Sequence, residues 1–147
     1  MNLKERQQLL ETELPVDYKE KLVVLVCENY PASNGVFGYD YMRREYFYSS
    51  VPVDKIEVGK RYNVKCLTGK NFGKTYQMRC WSDNTLEVFD GYNEFTASMN
   101  ASQTEINKHY FSTVAELNKF AEQINKHNME LGRVKAIRQA REGLFDF

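Results

Sequence analysis

The spacing of apolar residues changes character along this chain. Leu3 to Leu14 carries leucines at Leu3, at Leu9 or Leu10, and at Leu14, near one side of a helix, and Pro15 stops it. Leu22-Val23-Val24-Leu25-Val26-Cys27 is a β-branched run of strand length, apolar at both parities. That pattern predicts a strand buried on both faces, hence central in a sheet. Pro31, Ser33, Asn34 and Gly35 mark Asn29 to Gly38 as a loop. From Val51 to Asp90 the period is two. Ile56 to Val64 alternates around a turn at Gly59, and Thr75 to Trp81 sets Tyr76, Met78 and Cys80 against Gln77, Arg79 and Trp81. Asp83-Asn84 and Asp90-Gly91 are turn signals on either side of Thr85 to Phe89.

The last third switches to helical spacing. Thr113 and Glu116 form a capping-box pattern. Val114, Leu117, Phe120, Ala121, Ile124, Leu131, Val134 and Ile137 then recur on a helical stripe. The stripe thins at Lys126-His127-Asn128, and Gly132 interrupts it, so one long helix and two shorter ones both fit. A single helix from Val114 to Glu142 would be about 43 Å long, longer than a small barrel. The expected fold is α+β: an N-terminal helix, an antiparallel twisted sheet or small barrel from Leu22 to Met99, and a C-terminal helical segment packed on it. At 147 residues the chain is read as a single domain, 1–147, with room for a real core.

Charge narrows the partners. Lys plus Arg and Asp plus Glu number 20 each, so the net charge is zero. A uniformly basic nucleic-acid coat and an acidic DNA mimic are both disfavoured, while a local patch is not. Three cysteines, an odd number, and a first segment without the apolar core of a signal peptide fit a cytoplasmic chain with free thiols. Its longest apolar run is too short to span a membrane. With no CxxC or HxxxH spacing, neither a metal nor a cofactor is expected.

Catalytic patterns are weak. Gly69-Lys70-Asn71-Phe72-Gly73-Lys74-Thr75 approaches a phosphate-binding loop, but three residues rather than the required four precede the second glycine, and a strand follows where a helix should. The only histidines, His109 and His127, sit far in sequence from any nucleophile. No enzyme is expected. A basic hairpin interleaved with aromatics remains: Lys60, Arg61, Lys65, Lys70, Lys74 and Arg79 with Tyr62, Phe72 and Tyr76. Cations pair with phosphates and aromatic faces stack on bases, so Lys60, Arg61, Tyr62, Lys70, Phe72, Lys74, Tyr76 and Arg79 are the candidate residues for binding single-stranded nucleic acid. The competing reading is a solvated hairpin whose aromatics belong to the core. Phe37 to Tyr48 is the densest aromatic cluster and fits a core or an interface equally.

Two resemblances add expectations. Gly59-Lys60-Arg61-Tyr62-Asn63-Val64, with Gly69, Phe72 and Gly73, is similar to the strand–loop–strand of SH3-like and KOW barrels, although its loop is longer. This implies a small barrel of a kind that contacts nucleic acid or proteins. Gly143-Leu144-Phe145-Asp146-Phe147 resembles the sliding-clamp-binding peptides of T-even-type phage DNA polymerases, which end in a similar Phe-Asp-Phe. It implies a phage-encoded protein whose residues 143–147 form a partner-binding tail, with Leu144, Phe145 and Phe147 filling an apolar pocket on a replication clamp. Gly143 is expected to end the helix and release that tail; a tail tucked against its own domain is the alternative. Together these readings give a small non-enzymatic accessory protein that binds nucleic acid or the replication or transcription machinery. The rival is a pure protein–protein module, such as an inhibitor of a host enzyme or an assembly subunit.

Overall fold

A computed structural model of the chain describes residues 2–27, 43–90, 93–97 and 110–145. Helix α1 (Leu3–Leu10) opens with a capping box: the Asn2 side chain accepts from the Glu5 amide at 2.8 Å while the Glu5 carboxylate accepts from the Asn2 amide. A short helical turn α2 (Tyr18–Lys21) leads directly into β1 (Leu22–Cys27). There follow β2 (Arg43–Ser49), β3 (Arg61–Cys66), β4 (Thr75–Cys80), β5 (Leu86–Asp90), β6 (Asn93–Ala97) and α3 (Val114–Phe145). The strands form one antiparallel sheet in chain order, β1-β2-β3-β4-β5-β6. The sheet curls into a half-barrel that brings β6 back near β1. The α+β class, with a helix before the sheet and a helix after it, is as the patterning predicted.

The register sorts every side chain to one of two faces. Val23 and Leu25 of β1, Phe47 and Ser49 of β2, Val64 and Cys66 of β3, Tyr76, Met78 and Cys80 of β4, and Leu86 and Val88 of β5 point inward and are buried. The Phe47 and Tyr76 rings meet edge to face there, with centroids 5.9 Å apart. Outward-facing Leu22, Val24 and Tyr46 are buried as well; α3 lies over β2, with Phe120 against Tyr46 at 6.4 Å. This corrects one expectation. β1 is not central: it ends the hydrogen-bonding order, although residues on both of its faces are buried.

Residues 11–14 also depart from the sequence pattern. They leave the helix and bridge the chain entering α3: the Leu14 amide donates to the Ser112 carbonyl, and the Val114 amide to the Thr12 carbonyl, both at 3.1 Å. Partners offered across the chain outcompete the last turn of the expected helix. Leu3 is left 74% exposed, so α1 does not dock by that residue.

Helix α3 is one continuous element of 32 residues, about 48 Å long. Its cap is shifted by one residue from the simple box: the Glu116 amide donates to Thr113 Oγ1, while the Glu116 carboxylate accepts from the Ser112 amide at 2.9 Å. Val114, Leu117 and Ala121 are buried, and Phe120 and Ile124 are half-buried. Two asparagines on the same side dock it to main chain. Asn118 Oδ1 accepts from the Gly69 amide at 3.1 Å. Asn125 makes a two-way pair with Arg44, accepting from its amide at 2.8 Å and donating to its carbonyl at 3.1 Å. Asn125 thus serves β2 much as another strand would. Beyond this contact Met129 and Leu131 are exposed.

Helix α3 runs through Gly143, contrary to the expectation that this glycine ends it. Glycine permits the left-handed turn of a helix end without dictating it, and a helical glycine costs only about 1 kcal/mol relative to alanine. Leu144 and Phe145 therefore belong to the helix rather than to a released tail. Phe147 lies outside the described residues, as do the loop Asn29 to Gly38, residues Phe37 to Met42 of the aromatic cluster, His109 and Met99.

Candidate nucleic-acid interface

The eight hairpin residues separate into three places. Tyr62 is half-buried, its hydroxyl accepting from the Glu57 amide at 3.0 Å. Phe72 and Tyr76 are buried, at 6% and 3% exposure. Neither offers a ring face to a base, which removes both from the stacking role expected of them. Strand parity is the cause: Tyr76 shares its face with Met78 and Cys80, and that face is the barrel interior. Burial pushes the Tyr76 hydroxyl up to about 12, helped by Cys66, Asp90 and Glu45 nearby.

Lys70 and Lys74 sit at the β3–β4 loop. Lys70 is exposed, and Lys74 pairs with Asp90. The loop itself is a 3-10 turn, Gly69–Asn71, with Gly69 at φ +72°. Its backbone is already engaged, the Gly69 amide by Asn118 and the Gly69 carbonyl by Arg6 Nη2 at 2.8 Å. Thr75 opens β4 rather than a helix, so this loop lacks the helix N-terminus that a phosphate cradle requires.

Arg61 and Arg79 lie at the opposite end of the hairpin, directly paired in register. That end is about 16 Å from the loop at a strand rise near 3.3 Å per residue. Lys60, just before β3, is ion-paired with Glu57. The turn there is set by Gly59, at φ +83°, whose amide donates to the Cys80 carbonyl at 2.9 Å.

Around these two arginines the outer face builds a ladder that hairpin charge counting did not reveal. The Arg61 guanidinium lies 4.8 Å from the Phe89 ring centre. Arg79 lies 5.1 Å from Phe89 and 4.3 Å from Trp81. Glu87 ties the ladder together, accepting from Arg79 Nη2 at 3.1 Å and from Trp81 Nε1 at 2.6 Å. Arg61 Nη1 reaches Gln77 at 3.4 Å. Phe89 is only 8% exposed although it faces outward; the two guanidinium groups cover it. Trp81 follows β4 in a tight turn, its amide donating to the Thr85 carbonyl at 2.9 Å and Asn84 taking φ +65°. Trp81, Phe89 and Glu87 were missed because the contact depends on the β4–β5 register, in which Gln77 faces Phe89 and Arg79 faces Glu87.

A concavity of about 350 Å³ opens between β2, the Thr68-Gly69 corner and α3. Arg43 and Glu45 form an ion pair at 3.0 Å on its wall. Burial raises the Glu45 carboxyl, opposed by the Arg43 charge. Asn125, engaged with Arg44, lines the other side.

Among the described residues no three His, Cys, Asp or Glu side chains converge as a metal site, and no helix is long and apolar enough to cross a membrane. Cys66 and Cys80 are free and buried. No family model, no curated protein and no solved structure matches this chain.

Proposed function

We propose that this chain is a small non-enzymatic accessory protein that binds nucleic acid through the outer face of β3–β5. One observation carries the reading. Helix α3 packs over β2, whereas among the described residues the outer face of β3–β5 carries Arg61, Lys65 and Arg79 against the carboxylate Glu87, with Glu94 of β6 in register beside Phe89. Arg79 is neutralised by Glu87, which leaves Arg61 and Lys65 as the exposed cations available to phosphates. A zero net charge with cations gathered on a face that no described helix covers suits a local contact with a strand, not a coat around it. A mobility-shift titration with single-stranded DNA and RNA at low salt tests this. The intact protein should shift the strand, and the Arg61→Ala/Lys65→Ala double variant should shift it less. No shift with either nucleic acid would end the proposal.

A protein partner at residues 143–147 is the second reading. It is favoured by the exposure of Met129, 41%, and Leu131, 56%, two apolar side chains of α3 beyond its Asn125 contact. In this reading Leu144, Phe145 and Phe147 engage an apolar pocket on a sliding clamp, after the last helical turn unwinds. Deleting residues 144–147 should then abolish clamp binding and leave the melting temperature nearly unchanged. A drop of several degrees would assign the segment to the protein's own core.

A further inference from the structure

Resting on the nucleic-acid reading, we infer that Trp81 is a base-stacking platform and that the ligand is therefore a strand with unpaired bases. Exposure separates the indole from the buried aromatics around it, and two further features suit it to stacking. It keeps 38% of its surface in water, while Phe72, Tyr76 and Phe89 are buried. It is held in place: Nε1 donates to Glu87 at 2.6 Å, and Glu87 is itself fixed by Arg79. One ring face is backed by a cation, the Arg79 guanidinium at 4.3 Å, which rests in turn on Phe89.

A ring already immobilised loses little conformational freedom when a base settles on it, so the stacking free energy is not spent on ordering the platform. Arg79 behind the indole is neutralised by Glu87, and Arg61 beyond Phe89 places positive charge on the same face. A stacked base would therefore keep its phosphates within a favourable field. Every base has a π-face, so such a platform tolerates sequence but requires an unstacked base. A duplex hides those faces. The ladder also works as a cover for Phe89, but that role does not account for an exposed indole at its end.

Trp81 is the only tryptophan in the chain, so its emission reports on this ring alone. The test titrates the intact protein with oligothymidylate and oligouridylate, following indole fluorescence together with the anisotropy of a labelled strand. The expected result is quenching that saturates at the anisotropy midpoint, with weaker binding and unchanged emission for a duplex of equal length. Trp81→Ala should weaken single-strand binding about tenfold or more, and Trp81→Phe should lose less. Should Trp81→Ala fail to fold, by its circular dichroism, the quenching titration and Trp81→Phe decide the matter. A strand that binds without altering the emission, or a duplex that quenches equally, overturns this inference and leaves the nucleic-acid reading standing. Absence of any binding by anisotropy overturns both.

Discussion

Truncating Leu117 to alanine tests how α3 is held. Leu117 is 0% exposed and sits in the main core with Ala121 one turn on. Leucine-to-alanine changes at such sites cost about 2.7–5 kcal/mol, more where the surroundings cannot close over the gap. Here collapse is resisted on two sides, because Asn118 and Asn125 tie the helix to the main chain at Gly69 and Arg44. The cost should therefore fall in the upper part of that range, about 3–5 kcal/mol. In urea, with a slope near 2 kcal/mol per M, the midpoint should drop by about 2 M. Melting should fall by about 8–15 °C for a domain of this size. Leu131→Ala is the matched control: it lies on the same helix but is 56% exposed, and should change stability by less than about 0.5 kcal/mol. An unchanged midpoint for Leu117→Ala, or an equal loss for Leu131→Ala, would refute the packing described here.

Three further outcomes are expected. Asn125→Ala removes both hydrogen bonds to the Arg44 main chain and should cost about 1–3 kcal/mol, with faster hydrogen exchange at the Arg44 amide; unaltered exchange there would contradict the two-way pair. Glu45 holds its proton to higher pH in the native state than in the unfolded chain, so its favourable contribution is complete below about 4.5 and is lost as pH rises through the raised value; urea midpoints of the wild type should decline relative to Glu45→Gln as pH climbs from about 4.5 toward neutrality, and parallel profiles would contradict this. In a Cys27→Ser background, buried Cys66, its thiol pushed up to about 11 by burial, and Cys80, also raised, should resist a thiol reagent until denaturant is added; rapid native-state labelling would contradict their burial.

The elements were legible where a period was locally strong. The Leu22–Cys27 run, the alternation in Thr75 to Trp81 and the capped stripe from Val114 to Ile124 each carry their own signal, and each forms as read. The position of β1 was not legible, because apolar residues at both parities state only that both faces are covered. The candidate site was half legible. Parity alone already set Tyr76 with Met78 and Cys80, opposite Arg79 and Trp81, so the buried and exposed aromatics could have been separated. The Arg61–Phe89–Arg79–Trp81 ladder could not, since it depends on the pairing of β4 with β5. Nor could the docking role of Asn118 and Asn125: they look like polar helix positions until their main-chain partners at Gly69 and Arg44 are brought to them.

The salt dependence of single-strand binding tests the central claim most directly. Each phosphate contact on a single strand contributes about 0.7 to the slope of log K against log salt. If Arg61 and Lys65 on the outer face of β3–β5 make those contacts, the wild type should show a clear negative slope, and the Arg61→Ala/Lys65→Ala variant should lose about 1.4 of it. A slope identical in the two proteins, or binding indifferent to salt, would contradict the assignment of this face as the nucleic-acid interface.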